Sequence, residues 1–392
     1  MRATPRLLGV AAAAVAVLSL VACGSNLSSG SNGDNRSNAD GPVVLGVLVD
    51  QTAYLKTVDQ GVLKGINAAV KAINDQGGVL GGRQLQVVSG DMAADPQKQV
   101  QAFQRIMGTD KPALFVNGFS SAGNAAVAPL AKSQHVPMVV ASVVPQQDAE
   151  WIFSTITPVR YETGTRVEYL QHDGITKVGI LYDPTPYNKQ QLQVISDQLK
   201  AAGIDIAGAE QHASDAVDLR PQVSKLLGAG AQAIIKLSSG PTQIVAAKAL
   251  ADAGSRAPLL IGIESRANIV QASAAYPHVL VVASPLQVNA VLKEADRSQS
   301  VKSFTDTNPA EQDPTYVGRG WDAVFLAAAA LEKAGSTDGQ ALRDALESMD
   351  SYAGTSGAYD YTASDHYGIT SNPDYLAKIT ETSVDIVFTP KR

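Results

Sequence analysis

The serines at positions 120 and 121 come nearest to a catalytic signature in this chain. Gly118, Phe119 and Ser120 begin a nucleophile elbow, G-x-S-x-G, in which a serine on a sharp strand-to-helix turn attacks an acyl carbon. Ala122 replaces the second glycine of that motif, so the elbow is incomplete. An esterase-like hydrolase that uses Ser120 or Ser121 is therefore an alternative hypothesis, and the sequence favours a chain that is not an enzyme.

Other signatures of catalysis or cofactor binding are missing from the sequence. It contains no G-x-x-x-x-G-K-[ST] phosphate loop, and no G-x-G-x-x-G motif follows a predicted strand. None of the five histidines stands three or four residues from another, the spacing that places two metal ligands on one helix face. We therefore expect no catalytic residue, no metal site and no cofactor.

Ser120 and Ser121 have a second interpretation, as an anion-binding site. They follow a predicted strand that ends near Asn117 and precede a helix predicted from Ala122. Hydroxyls and free N–H groups at a helix N-terminus bind carboxylates, although a serine there is often only a helix cap. Ser142 holds the same place after the next strand, and open parallel sheets bind ligands at the carboxyl ends of their strands.

Short apolar runs alternate with helical segments from Pro42 onwards. The runs form two series, at residues 43–49, 85–88, 113–116 and 137–141, and at residues 178–182, 204–206, 233–237 and 259–263. Continuous apolar runs separated by helices are typical of parallel strands that are covered on both faces. The two series predict an α/β fold with two doubly wound parallel-sheet lobes.

The second series places two polar side chains at strand ends. Tyr187 follows the strand ending at Tyr182, and Glu264 follows the strand ending at Ile263. Because the serines belong to the first lobe, we expect Tyr187 and Glu264 to face them across a cleft. An alanine-rich helix predicted over residues 316–333 comes after the second series, and we expect it to return to the first lobe.

The N-terminus has the pattern of an export signal. Arg2 and Arg6 precede an apolar run over residues 7–20, which is shorter than the roughly 20 residues that span a bilayer. The small residues before Cys23 resemble the bacterial lipobox, in which the cysteine receives lipid after cleavage. We expect a lipoprotein signal peptide over residues 1–22 and a flexible tether rich in Ser, Asn and Gly over residues 23–41.

Composition excludes several kinds of site. The 392 residues include 31 Lys and Arg against 37 Asp and Glu, a net charge of −6, and the basic residues form no cluster, so we expect no nucleic-acid partner. A single cysteine excludes an internal disulfide framework and a cysteine-rich metal site.

Three segments of the sequence carry a family resemblance: Gly-Gly-Val-Leu-Gly-Gly-Arg at 77–83, Asp91 with Asp95-Pro96, and Trp-Asp-Ala at 321–323. They resemble the corresponding segments of the branched-chain amino-acid-type periplasmic binding proteins. The resemblance extends from Pro42 to the C-terminus. It implies a type I periplasmic binding protein, in which a three-strand hinge lets two lobes close like a Venus flytrap. The N-terminal lobe would comprise residues 42–158 and 288–372, and the C-terminal lobe residues 159–287 and 373–392.

The resemblance also implies a binding site. In members of the family that bind amino acids, a serine loop of the first lobe holds the ligand carboxylate, and a tyrosine and a glutamate of the second lobe meet its ammonium group. The matching positions here, with a first-loop hydroxyl added, are Ser120, Ser121, Ser142, Tyr187, Glu264 and Thr52. Val144 stands where amino-acid binders often have a threonine, a departure that suits a more apolar ligand.

What the resemblance implies about function is an extracytoplasmic solute-binding lipoprotein of an ABC importer. Its partners would be a small amino acid or analogue, an ABC permease, and the outer face of the cell membrane, to which lipid on Cys23 would anchor it. One alternative is a ligand-sensing receptor subunit that serves a signalling partner. Another is a binding protein for an amide, urea or aromatic acid.

Overall fold

The computed structural model describes residues 41–308, 311 and 313–391. Cys23, the predicted signal peptide and nearly all of the predicted tether lie outside the described residues. The strands are β1 (Val43–Val49), β2 (Leu85–Asp91), β3 (Leu114–Asn117), β4 (Met138–Val140), β5 (Ile152–Ser154), β6 (Lys177–Tyr182), β7 (Asp205–Gln211), β8 (Ala233–Leu237), β9 (Leu259–Ile261), β10 (Val279–Ala283), β11 (Tyr352–Ala353), β12 (Ala358–Tyr359), β13 (Tyr375–Ile379) and β14 (Val384–Phe388).

Helices separate most of these strands. They are α1 (Lys56–Asp75), α2 (Pro96–Thr109), α3 (Ser121–Ser133), α4 (Val159–His172), α5 (Pro186–Ala201), α6 (Arg220–Gly228), α7 (Thr242–Asp252), α8 (Arg266–Ala275), α9 (Gln299–Thr307), α10 (Pro314–Ala334) and α11 (Gly339–Glu347). Along the described part of the chain, none of them is long and apolar enough to cross a membrane.

Two separate sheets confirm the predicted α/β fold with parallel-sheet lobes. The first has the strand order β2-β1-β3-β4-β5, and its neighbours all run parallel. The second has the order β14-β13-β10-β9-β8-β6-β7. Its strands β6 to β10 run parallel to one another, whereas β13 pairs antiparallel with β10 and β14 pairs antiparallel with β13. We refer to each sheet with the helices packed on it as the first and the second lobe.

Alternate residues of the buried strands face opposite sides of the first sheet. Val47 belongs to a core cluster that includes Val62 of α1, and the next residue, Leu48, belongs to another that includes Phe103 of α2. Both faces are therefore covered by helices, which is why the strands appear as continuous apolar runs rather than as alternating ones.

Helix α10 packs on α1 in the first lobe, as the sequence predicted for the alanine-rich helix. A Cβ atom on Gly65 of α1 would lie 1.9 Å from the carbonyl oxygen of Val317, and one on Gly320 would lie 2.1 Å from that of Val62. Only glycines allow the two backbones to come so close. This packing fixes the face that α10 turns towards the end of the sheet.

The chain passes between the sheets after β5, after β10 and again before β13. Hydrogen bonds join the crossing segments. Tyr359 Oη donates to the carbonyl oxygen of Thr155 at 2.9 Å, and Tyr361 Oη donates to that of Ser154 at 2.8 Å. This path agrees with a three-strand connection, while the lobe boundaries at residues 158, 287 and 372 stay a prediction.

Candidate ligand-binding cleft

The carboxyl ends of the two parallel sheets meet, and side chains from both lobes touch there. The ring of Phe119, which follows β3, meets the ring of Tyr187 from α5 edge to face, with 6.4 Å between centroids. Tyr187 also packs against a small apolar cluster that contains Val143, which follows β4. These contacts bring the immediate neighbours of Ser120 and Ser142 to Tyr187, and we call this region the cleft.

Ser120 caps helix α3. Its side chain is buried, and its Oγ atom accepts a hydrogen bond from the N–H of Gly123 at 3.0 Å. Ser121 is the first residue of the helix and is half-buried. The capping interpretation of Ser120 is therefore confirmed, and its hydroxyl proton is not used in that bond and can still be donated to an acceptor.

Thr52 lies in the loop after β1, which is organised by carboxylates. The carboxylate of Asp50 accepts hydrogen bonds from the N–H groups of Thr52, Ala53 and Leu55 at 2.7–3.0 Å. The hydroxyl of Thr52 is exposed and donates to Asp91 Oδ2 at 2.7 Å. The threonine hydroxyl is therefore hydrogen-bonded to the end of β2, the edge strand of the first sheet.

Ser142 and Val144 lie in the loop after β4. Ser142 is buried, and its carbonyl oxygen accepts a hydrogen bond from Ser154 Oγ at 2.6 Å. Val144 is half-buried, and its N–H donates to Tyr367 Oη at 3.2 Å. Their backbones thus fix this loop against the crossing segments beside the cleft.

Tyr187 is joined to a buried ion pair of the second lobe. Its hydroxyl donates to Glu162 Oε2 at 2.6 Å, and Glu162 Oε1 pairs with Arg166 at 2.6 Å. Burial, and then the Glu162 carboxylate, raise the pKa of Tyr187 well above its usual value. A Cβ atom on Gly262 would lie 2.4 Å from Glu162 Oε1, so the pair fits against the end of β9 only because that residue is glycine.

Glu264 is 1% exposed and is held by donors of its own lobe. Its Oε1 atom accepts from the N–H of Ser265 at 2.7 Å and from Asn268 Nδ2 at 3.2 Å, and its Oε2 atom accepts from the N–H of Gly240. Burial raises the pKa of Glu264 above its usual value, while these bonds lower it. The carboxylate is thus oriented before any ligand arrives.

Arg319 of α10 is a charged residue of the cleft that sequence reasoning missed. Its Cζ atom lies 5.6 Å from the ring centroid of Phe119 and 5.4 Å from that of Tyr316. The side chain is 6% exposed, and no carboxylate in the described part of the chain forms an ion pair with it. A buried charge without a partner costs several kcal/mol, whereas a cation–π contact returns about 0.5–2 kcal/mol. The only sequence signal is a basic residue inside an apolar helix.

Asp59 of α1 is a second residue that the sequence did not reveal. It is fully buried, and its two oxygens accept from the N–H groups of Asp50 and Phe119, each at 2.7 Å. Burial raises the pKa of Asp59 to about 7, against the opposing effect of these bonds. One side chain thereby positions the loop after β1 and the loop that carries the Phe119 ring.

A buried amine lies at the end of β8. Lys236 Nζ is 2.8 Å from His212 Nε2 and 3.2 Å from Thr242 Oγ1, and it also donates to Ser238 Oγ. Burial lowers the pKa of Lys236 to about 7, although Asp183 and Glu264 act to raise it.

Among the described residues no three His, Cys, Asp or Glu side chains come together as a metal site would require.

Comparison with known proteins places this geometry in a family. A model of the family described as periplasmic binding proteins matches residues 42–383. The chain is 26% identical over 320 residues to Leu/Ile/Val-binding protein homolog 3 of Brucella melitensis. The aligned region covers 78% of this chain and 83% of that protein.

Solved structures agree in fold. An extracellular ligand-binding receptor from Rhodopseudomonas palustris HaA2 superposes with a TM-score of 0.78 at 19% identity, over 88% of this chain and 99% of that one. The branched-chain amino-acid substrate-binding protein LivJ of Streptococcus pneumoniae, solved with isoleucine, gives a TM-score of 0.76 at 18% identity, over 89% of this chain and all of that one (100%). The chain thus belongs to the periplasmic binding protein family, in its branched-chain amino-acid type I form.

Proposed function

We propose that this protein captures a small solute between its two lobes and delivers it to the permease of an ABC importer, without catalysing a reaction. The observation that carries the proposal is the meeting of polar and aromatic side chains from both sheets in the cleft, where Phe119 of the first lobe touches Tyr187 of the second. A ligand held there contacts both lobes only when they are closed, so binding favours closure.

A small amino acid or a related compound, similar to the branched-chain amino acids, is the proposed ligand. Glu264 supports an ammonium site because its Oε2 atom accepts from Gly240 and a carboxylate oxygen has room for a second donor. Ser120 supports a carboxylate site because its hydroxyl proton is not needed for the helix cap. Val144, half-buried in the neighbouring loop, offers apolar surface where a hydroxyl would favour a more polar ligand.

Thermal unfolding in the presence of small solutes tests the ligand class. The panel comprises L-leucine, L-valine, acetamide, urea and benzoate. A solute that binds only the folded state should add roughly 2.7 kcal/mol of stability at 100 times its Kd. A shift with the amino acids is expected. A shift only with solutes that lack an ammonium group keeps solute binding but removes that role from Glu264, and no shift with any of them contradicts the proposed class.

Export and anchoring form a separate part of the proposal. The run from Arg2 to Cys23 supports a cleaved lipoprotein signal, and lipid on Cys23 would hold the protein at the outer face of the cell membrane. Membrane fractionation of cells that produce the protein or its Cys23→Ala variant tests this. We expect the protein in the membrane fraction and the variant released from it, and equal distributions would contradict the anchor.

A further inference from the structure

Arg319 is a largely buried residue whose guanidinium has no carboxylate partner among the described residues. Its side chain is 6% exposed, and the described residues give it neither an ion pair nor a hydrogen bond through its guanidinium. Another arginine over an aromatic ring offers a comparison. Arg343 lies 5.2 Å from the centroid of Trp151, but its Nε atom also pairs with Glu347 at 2.8 Å. Arg319 has the ring contacts without the ion pair.

Two carboxylates near the cleft, Glu162 and Glu264, already accept hydrogen bonds from groups other than Arg319. Glu162 binds Arg166, the hydroxyl of Tyr187 and the amide of Gln191. Glu264 accepts from donors of its own lobe. No carboxylate in the part of the chain that the structure describes forms an ion pair with Arg319, so an anionic group of a ligand could neutralise its charge.

The surroundings of Arg319 are suited to a ligand. Phe119 and Tyr316 frame it with two rings, and their centroids are 6.0 Å apart. The hydroxyl of Tyr316 is buried and has no hydrogen-bond partner among the residues described. Phe119 in turn touches Tyr187 of the second lobe. A cation and an unsatisfied hydroxyl thus lie beside the line along which the lobes meet.

We propose that Arg319 contacts the ligand and pairs with its carboxylate group. This inference rests on the proposed function, and it adds the positive charge that the neutral hydroxyls of Ser120 and Ser121 do not supply. A guanidinium binds the two oxygens of a carboxylate through parallel N–H bonds, and the hydroxyl of Tyr316 is an additional donor. The ligand class narrows to amino acids and other organic acids, and uncharged amides and ureas are excluded.

Matched acids and amides test the proposal by calorimetric titration. The probes are L-leucine with L-leucinamide, 4-methylpentanoate with 4-methylpentanamide, and benzoate with benzamide. The variants are Arg319→Met, which keeps an apolar chain against the rings, and Arg343→Met as the matched control. We expect the protein to bind an acid at least about tenfold more tightly than its amide. We expect this preference to be lost in Arg319→Met and kept in Arg343→Met.

Two results overturn the inference and leave solute binding intact. One is equal binding of an acid and its amide by the unaltered protein, and the other is an unchanged preference for acids in Arg319→Met. If no probe binds, the proposed ligand class fails, and the unfolding temperature without ligand decides the role of Arg319. A rise or no change in Arg319→Met, with a fall in Arg343→Met, supports a guanidinium without a partner. A lower unfolding temperature in Arg319→Met than in the unaltered protein would mean that Arg319 stabilises the fold and has no role in ligand binding.

Discussion

The ring of Phe119 meets the ring of Tyr187 at a centroid distance of 6.4 Å and an interplanar angle of 74°. The two residues belong to different sheets, so this contact crosses between the lobes. Each of the two residues is hydrogen-bonded to a buried acidic side chain. The N–H of Phe119 donates to Asp59, and the hydroxyl of Tyr187 donates to Glu162. The contact surface between the lobes is therefore built on two carboxylates that lie beneath it.

Removal of the Tyr187 hydroxyl should destabilise the protein while leaving the ring contact in place. Tyr187→Phe leaves Glu162 Oε2 with Gln191 as its donor, at 3.0 Å. We expect a loss of about 1–2 kcal/mol in the free energy of unfolding, measured in urea, because a buried acceptor loses a bond. Tyr182→Phe is the control, since its hydroxyl makes an exposed contact of 3.5 Å with Gln211. Equal stability of both variants would show that the Glu162 bond contributes nothing.

The close approach of α1 and α10 predicts that an alanine at their interface destabilises the protein, whereas an alanine at an exposed glycine does not. In Gly65→Ala the new methyl group would lie 1.9 Å from the carbonyl oxygen of Val317, so the helices must separate. We expect a loss of about 3 kcal/mol of stability. Gly108→Ala, on an exposed stretch of α2 where nothing lies within 4 Å of the new atom, should be neutral or stabilising by up to about 1 kcal/mol. Thermal unfolding of both variants measures the difference, and equal losses would refute this account of the interface.

The buried amine of Lys236 predicts a pH dependence of stability. Burial lowers the pKa of Lys236 from 10.5 to about 7 in the folded protein. Between these values the unfolded chain binds a proton that the folded chain does not, so the free energy of unfolding rises with pH in that window. Below pH 7 the contribution of Lys236 is constant.

Urea titrations at pH 7.5 and 9.5 measure this effect. The gain in stability that Lys236 contributes over that interval is of the order of 2 kcal/mol, and Lys236→Met should lose it. Lys248→Met, an exposed substitution on α7, should keep the pH dependence of the unaltered protein. The same slope in Lys236→Met and the unaltered protein would mean that Lys236 is protonated alike in the folded and unfolded states.

The parallel core of the fold is visible in the sequence because its signal is local. The runs at 43–49 and 233–237 coincide with β1 and β8, and Asp95 directly before Pro96 caps α2, accepting from the N–H groups of Gln97 and Lys98. Both sheet faces are covered, so each central strand is continuously apolar. Gly77 and Gly78, which follow α1, have φ values of 110° and 81°, as expected for glycines that end a helix.

Other strands have no such signal. β5 is three residues long, too short for a periodicity, and β13 and β14 join the second sheet as antiparallel strands from the far end of the chain. The fully buried β10 is likewise absent from the predicted series, although its Val-Leu-Val-Val-Ala sequence is apolar. The pairing of β13 with β10 depends on where the chain returns after α10, which no local pattern determines.

The candidate site divides in the same way. Ser120, Ser142, Tyr187 and Glu264 follow strands, and the rule that ligands lie at the carboxyl ends of parallel strands places them near the cleft. Glu162 and Arg319 come from helices, and which side chain a helix turns towards the cleft depends on tertiary packing. For Arg319 that packing is the approach of Gly65 to Val317, which cannot be inferred from the sequence of α10 alone.

Calorimetric titration of L-leucine into the protein and into the variants Ser120→Ala and Glu264→Gln tests the capture of a solute between two lobes most directly. We predict one site per chain and an affinity at least about tenfold weaker in each variant, because each loses a charge-assisted contact from a different lobe. In Glu264→Gln the new side-chain NH2 group faces a backbone N–H donor, which can destabilise the fold. Unfolding of this variant in urea therefore verifies that it is folded. Weakening by only one of two folded variants, or by neither, would contradict capture between the lobes.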